Sequence, residues 1–273
     1  MIVVTGGTGN VGRALVAKLA GDGAAVTAVA RRITPEDVPA GVRAVAADLG
    51  RPAGLGPALE GATALFLLVA GDDPEGILKQ AAAAGVTRVV LLSSQGVGTR
   101  PHSYAHAAGF EAALARSGLA FTVLRSGGLA SNAFAWAEPV RRHRTAAAPF
   151  ADVALPFVDP DDVAAVAAAV LREEGHDGVT YTLTGPEATT PRQRAAALAQ
   201  AVAEPVTFVE QSREEARAQM AQFMPSAVVE GTLSVLGDPT PKEQAVSGDV
   251  ERILGRPAAP FAAWAARNAA AFR

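Results

Sequence analysis

Met1-Ile2-Val3-Val4-Thr5-Gly6-Gly7-Thr8-Gly9-Asn10-Val11-Gly12-Arg13-Ala14-Leu15-Val16-Ala17-Lys18-Leu19-Ala20 opens the chain. The first five residues read as a short buried strand, and the last eight as a helix with apolar residues at helical spacing. Gly7, Gly9 and Gly12 form a G-x-G-x-x-G pattern between the two, the context that turns a weak motif into a persuasive one. Glycine at 6, 7 and 9 lets the backbone turn and approach a ligand, and Gly12 lets the helix pack closely on the sheet. Free N–H groups and the positive end of the helix dipole then face an anion, which in this setting is a pyrophosphate.

The next strand, 24–30, ends on Arg31-Arg32. A site for NAD usually carries an acidic residue about 20 positions past the glycines, to bind the ribose 2′-hydroxyl. No Asp or Glu lies between Gly23 and Pro35. Two guanidiniums suit a 2′-phosphate by charge and by fork geometry, so NADP(H) is the expected cofactor.

Strand and helix patterns alternate onward, with strands expected at 42–46, 63–69, 86–92, 119–124, 179–183 and 206–209. Several are near-continuous apolar runs, as in parallel strands buried on both faces. Helices fill 74–84 and 102–117, with Gly85 and Gly118 at their C-terminal ends. Asp159-Pro160-Asp161-Asp162 supplies an acidic cap and a first-turn proline for a helix through Leu171, and its acids read as structural. The expected architecture is α/β: a Rossmann-type doubly wound parallel sheet with a smaller, mostly helical C-terminal part on the substrate side. Residues 1–273 form one unit, with 1–130 the nucleotide-binding core and 131–273 completing the sheet and supplying a lid. Ligands in such sheets lie beyond the strands' C-terminal ends.

The 273 residues carry a net charge of −3 without a basic stripe, which argues against nucleic acid as a partner. The absence of cysteine removes disulfides, thiolate metal sites and cysteine nucleophiles, and no metal site is expected. The first strand begins at Met1 and no apolar run is long enough to span a bilayer, so a cytoplasmic protein acting on a small molecule is expected. Monomer and dimer are both open.

Together these segments resemble the NmrA-like branch of the atypical short-chain dehydrogenase/reductase superfamily. The likeness rests on VTGGTGNVGR, Arg31-Arg32, Asp48-Leu49, LLSSQG at 91–96 and SGLAFTVLRSGGLASN at 117–132. It continues through PFVDPDDVAAVAAAVL at 156–171, LTGPEATT at 183–190 and the closing FAAWAARNAAAF. The resemblance implies that Gly6, Gly7, Thr8, Gly9, Asn10 and Val11 hold the pyrophosphate, and Arg31 and Arg32 the 2′-phosphate. It implies that Asp48 and Leu49 flank the adenine, that Leu68, Val69 and Ala70 line the ribose, and that Ser93, Ser94, Ser126, Gly127 and Gly128 approach the nicotinamide. The family commonly has proline where this chain has Ser126, which is expected to loosen that turn.

Typical short-chain dehydrogenases use Tyr-x-x-x-Lys, whose ammonium lowers the tyrosine pKa. Tyr104 and Tyr181 are the only tyrosines, and Ala108 and Gly185 stand four residues on. The candidates for supplying a proton are therefore Tyr104 and His106, with His102 a weaker one, and Ser93 is the catalytic candidate for orienting a substrate oxygen. Phe134, Trp136 and Phe150 are candidates for an apolar substrate wall, and Arg141-Arg142-His143-Arg144 reads as a solvated helix face. The leading reading is an NADPH-dependent oxidoreductase passing hydride to a small conjugated acceptor, a quinone or a polyketide-like ring. The alternatives are an NADP(H)-sensing regulator, and a non-redox epimerase or cyclase that retains NADP.

Overall fold

A computed structural model describes residues 1–273. The apolar runs become strands β1 (Ile2–Thr5), β2 (Val26–Ala30), β3 (Arg43–Ala46), β4 (Ala64–Leu68), β5 (Arg88–Ser94) and β6 (Ala120–Ser126), followed by β7 (Thr145–Pro149), β8 (Val179–Leu183) and β9 (Thr207–Gln211). Seven of them form one all-parallel sheet in the order β3-β2-β1-β4-β5-β6-β8. The strand order reverses between β1 and β4, and this switch point opens the crevice in which such sheets bind ligands. No helix is long and apolar enough to cross a membrane.

Helices cover both faces, as a sheet buried on two sides requires. On one face lie α1 (Asn10–Gly21) and, much later in the chain, α7 (Pro160–Arg172). Leu15, Val16 and Leu19 of α1 pack there with Val163, Val166 and Val170 of α7. The other face carries the single-turn α2 (Gly56–Leu59), then α3 (Pro74–Ala83) and, after the single-turn α4 (Gly96–Thr99), α5 (Ala105–Arg116). Leu59, Ile77, Phe110 and Leu114 fill that layer. Gly85 and Gly118 follow the ends of α3 and α5 at φ of 92° and 76°, where an L side chain would be strained.

After α6 (Ala137–His143), β7 pairs in parallel with β9 as a separate two-stranded sheet. Strand β7 has no strand-like local pattern: Thr145-Ala-Ala-Ala-Pro149 contains three alanines, and β preference depends on packing surroundings more than on local identity. Its chain direction is set by Arg144, which ends α6 in the left-handed region and pairs with Glu204 at 2.6 Å. Of the basic run at 141–144, Arg141, Arg142 and His143 are exposed, and Arg142 pairs with Glu138 one turn back. The remaining helices are α8 (Pro191–Val202), α9 (Arg213–Met220), α10 (Ser226–Gly237), α11 (Pro241–Gln244), α12 (Asp249–Leu254) and α13 (Phe261–Arg267). Trp136, Val140, Leu198, Trp264 and Phe272 make a third apolar cluster beneath them.

The acids at the start of α7 join these parts. Asp159 caps the helix by accepting from the Asp161 N–H at 3.0 Å, and it also pairs with Arg267 of α13. Asp162 accepts from the Ala259 N–H at 2.6 Å and pairs with Arg256 at 2.7 Å. Both carboxylates are 2% exposed or less, so their charge is matched from the C-terminal segment rather than by water. Replacing Asp159 with Ala removes the cap and one of the two carboxylates that meet Arg267, leaving Asp161 as its partner; we expect a loss of about 1–2 kcal/mol in urea unfolding. Dinucleotide affinity of the folded fraction should stay within about twofold.

Candidate active site

The crevice at the switch point is built by backbone. The Thr5 hydroxyl donates to the Phe66 carbonyl (3.0 Å) and accepts from the Leu68 N–H (2.9 Å), locking the ends of β1 and β4 together. Gly6 follows at φ 67°, and its carbonyl accepts from the Gly9 N–H at 2.8 Å. A Cβ on Gly7 would lie 2.9 Å from the Cβ of Ala28, and one on Gly12 would overlap the Gly6 carbonyl. The loop can therefore lie this close to the sheet and helix only as glycine. Helix α1 starts without a side-chain cap, and the N–H groups of Asn10, Val11 and Gly12 take no protein acceptor. Bare donors, a helix N-terminus and a glycine cradle that side chains would fill fit a dinucleotide pyrophosphate.

The crevice, about 520 Å³, runs on past Arg31, Arg32, Asp48 and Leu49 to Leu68 and Ala70. Both arginines are exposed and neither meets a carboxylate. Asp48 turns its carboxylate back onto the Gly50 N–H at 3.0 Å. Two residues expected here present only backbone or nothing. The Val11 side chain is buried in the α1 core, and Val69 packs with the α3–α5 layer.

A second cavity, about 220 Å³, lies beyond β5 and β6 and is lined by Ser94, Gly96, Tyr104, Ser126, Gly127 and Gly128, among others. The register pairs Ser94 with Ser126, so those two serines share a face. Ser93, one position earlier, necessarily points the other way. Its hydroxyl donates to Glu111 at 2.6 Å, and Glu111 holds Arg125 at 2.6 and 3.1 Å. Ser93 is thus drawn into a network behind the strand, not into the cavity where it was expected. His106 is also outside: it is exposed and edge-on to Phe110, with ring centroids 5.3 Å apart. His102 is exposed as well. The turn at Ser126 is not loose without its proline. The Ser126 carbonyl accepts from the Gln95 N–H, and the Gly127 N–H donates to the Leu183 carbonyl, both at 2.9 Å.

Of the proton-handling candidates, only Tyr104 lines the cavity. Its ring lies where a side chain on Gly96 would be, and Ser94 stands with it in the cavity wall. Burial, and after it the negative charge of Glu243, push the Tyr104 pKa up, against the opposing pull of Arg100 and Ser94. The hydroxyl therefore stays protonated at neutral pH and acts as a donor, the reverse of a lysine-acidified tyrosine. Glu243 arrives from α11. Burial alone would raise its pKa; hydrogen bonds from Arg100 (2.8 and 2.9 Å), the Thr240 N–H (2.8 Å) and Thr99 (2.7 Å) outweigh it and hold the carboxyl below its usual range. This contact ties the C-terminal helices to the start of α5.

A third, apolar cavity of about 320 Å³ adjoins the second, sharing Asn132, Phe157, Met224, Thr232 and Leu236 with it. Trp136 lines it, but Phe134 packs instead against Trp264 and Phe272, and Phe150 lies over Gly237. Phe157, Met220, Phe223 and Met224 form the wall instead.

A parallel sheet with this glycine cradle defines a dinucleotide-binding protein. The NAD(P)H-binding family matches residues 6–174, and the chain belongs to that family; its fold is of the atypical short-chain dehydrogenase/reductase kind. The chain is 36% identical to the (4-alkanoyl-5-oxo-2,5-dihydrofuran-3-yl)methyl phosphate reductase of Streptomyces griseus, over 100% of this chain and 99% of that protein. It is 30% identical to the NAD(P)H azoreductase of Xenophilus azovorans, over 100% and 99%. The NADPH complex of an Escherichia coli NADPH-dependent quinone oxidoreductase superposes with a TM-score of 0.80 at 26% identity, covering 98% and 99% of the two chains. The protein is an NAD(P)H-dependent reductase.

Two outcomes follow from this geometry. Gly12→Ala should weaken NADPH binding by about tenfold or more, read by nicotinamide fluorescence, because the cradle must open to admit the methyl group. Because the Glu243 carboxyl titrates below its unfolded value, its stabilisation is complete at neutral pH and is lost as pH falls below about 4. In Glu243→Gln, Tm at pH 7 should drop, and the further fall between pH 5 and pH 3 should be smaller than in the native protein.

Proposed function

We propose that the protein reduces a small conjugated acceptor, a quinone or a polyketide-like ring, with NADPH in preference to NADH. The observation that carries this reading is the junction of the two cavities: the one at the strand ends, which a neutral tyrosine lines, shares its wall with an apolar, aromatic-lined space. Such a space holds a flat apolar ring, and one fixed donor orients its oxygen.

The residues divide the work as follows. The N–H groups of Asn10, Val11 and Gly12, with the backbone of Gly6 to Gly9, hold the pyrophosphate. Arg31 and Arg32 hold the 2′-phosphate, Asp48 and Leu49 flank the adenine, and Leu68 and Ala70 line the ribose. Ser94, Ser126, Gly127 and Gly128 receive the nicotinamide, which supplies a hydride when bound. Tyr104 donates a hydrogen bond to the acceptor oxygen that gains negative charge, and it can give up its proton there. Phe157, Met224 and Leu236 keep water from the reacting face, with residues 213–244 serving as a lid. A quinone needs little more, because the anion it forms is resonance-stabilised and water can complete its protonation.

The relatives support the class of acceptor. A butenolide, an azo compound and a quinone, the substrates their names give, are all conjugated two-electron acceptors.

The test is NADPH oxidation by the purified protein across 1,4-naphthoquinones, azo dyes and butenolides, with NADH in parallel. Turnover with a clear NADPH preference is expected. Binding of NADPH without turnover on any of them would overturn the reading in favour of cofactor sensing. Replacing Arg31 and Arg32 together with Ala should lower NADPH affinity about 10- to 100-fold and leave NADH nearly unaffected. Tyr104→Phe should lower kcat about 3- to 10-fold, the worth of one hydrogen bond, with little change in NADPH affinity.

A further inference from the structure

Helix α8 buries Pro191, Ala195, Leu198 and Val202 along one stripe, and Arg194 lies on that same stripe. Arg194 is only 6% exposed, yet none of the molecule's ion pairs includes it. Its guanidinium stacks over the Phe157 ring at 3.8 Å, and one nitrogen donates to the Thr189 carbonyl at 2.7 Å. The other nitrogens have no protein acceptor, and the side chain borders the apolar cavity. That cavity is lined by no carboxylate; Asn132, Gln211, Gln219 and Thr232 are its neutral polar groups. Burial lowers the Arg194 pKa to about 10, so the group is still cationic at neutral pH.

A buried cation without a counter-ion is costly, and an apolar side chain of similar size would fill the place without that cost. The planar fork held flat on Phe157 leaves its N–H edge free for two oxygens of one anion. Phe157 also walls the Tyr104 cavity, so one ring borders both the cation and the space that would hold the acceptor.

We propose that Arg194 anchors an anionic oxygen group, a phosphate monoester or a carboxylate, carried by the acceptor on a short apolar arm. The acceptor then lies with its reducible ring beside Tyr104 and its anion at Arg194, inside the connected cavities. This rests on the reading that those cavities hold the acceptor, and it adds that neutral quinones are surrogates for an acidic substrate.

The experiment is calorimetry on the protein saturated with NADP⁺, which fills the 2′-phosphate site so that anions cannot bind there. The probes are phenyl phosphate, benzoate and neutral benzyl alcohol, titrated into the native protein and Arg194→Gln. At least one anion is expected to bind about tenfold or more tightly than benzyl alcohol, and Arg194→Gln to erase that preference. The stronger of the two anions identifies the phosphate or the carboxylate form. Equal binding of all three probes to the native protein would overturn the proposal, whether or not the variant folds. So would a folded Arg194→Gln, judged by its NADP⁺ affinity, that keeps the anion preference; Arg194 would then be a packing residue. Because no probe is reduced, an absence of quinone turnover would count against the reductase reading alone and leave this result standing.

Discussion

The close contact between the Gly6 carbonyl and Gly12 fixes most of what this protein can do. It brings the first turn of α1 down onto the end of β1, so that three N–H groups emerge at the point where the strand order reverses. A side chain at Gly12 would lift the helix off the loop, and one at Gly6 would run into Leu68 at the end of β4. Thr5 extends the same constraint sideways by tying β1 to β4, which aligns the crevice with the loops beyond β5 and β6. The dinucleotide cleft and the two cavities beside it thus lie along one edge of one sheet.

The second half of the chain is held to that edge by buried charge. Asp159 and Asp162 bind the C-terminal segment to α7, and Glu243 binds α11 to the loop before α5. Glu243 also acts on the site itself, since its charge helps keep the Tyr104 hydroxyl protonated. A hydrogen-bond donor that resists ionisation suits the reductive direction, in which an acceptor oxygen gains charge. The missing lysine of the usual dyad is therefore consistent with a tyrosine that is used in its neutral form.

Much of this was legible in the sequence, for physical reasons. Ala64–Leu68 is buried on both faces, so its composition alone marks a parallel strand, and the glycine loop between strand and helix marks the cradle. The closing features of the site were harder to see. Which serine of Ser93-Ser94 faces the cavity depends on strand phase, and that became visible only when Ser94 was found opposite Ser126. The Ala-rich β7 carries no local signal because its pairing with β9 comes from tertiary packing. Glu243 and Arg100 are 143 residues apart and share no pattern that would connect them. Arg194 did leave a trace: a cation on an apolar stripe at positions 191, 195, 198 and 202 stands out once the helix is drawn.

A single bound dinucleotide must connect the glycine cradle to the Tyr104 cavity, and the most direct test is the crystal structure of the NADP⁺ complex. The account predicts the pyrophosphate on the N–H groups of Asn10 to Gly12, the 2′-phosphate between Arg31 and Arg32, and the nicotinamide against Ser94 and Gly127, facing Tyr104. A nicotinamide lying outside that cavity, or a dinucleotide that leaves the α1 N-terminus bare, would contradict it.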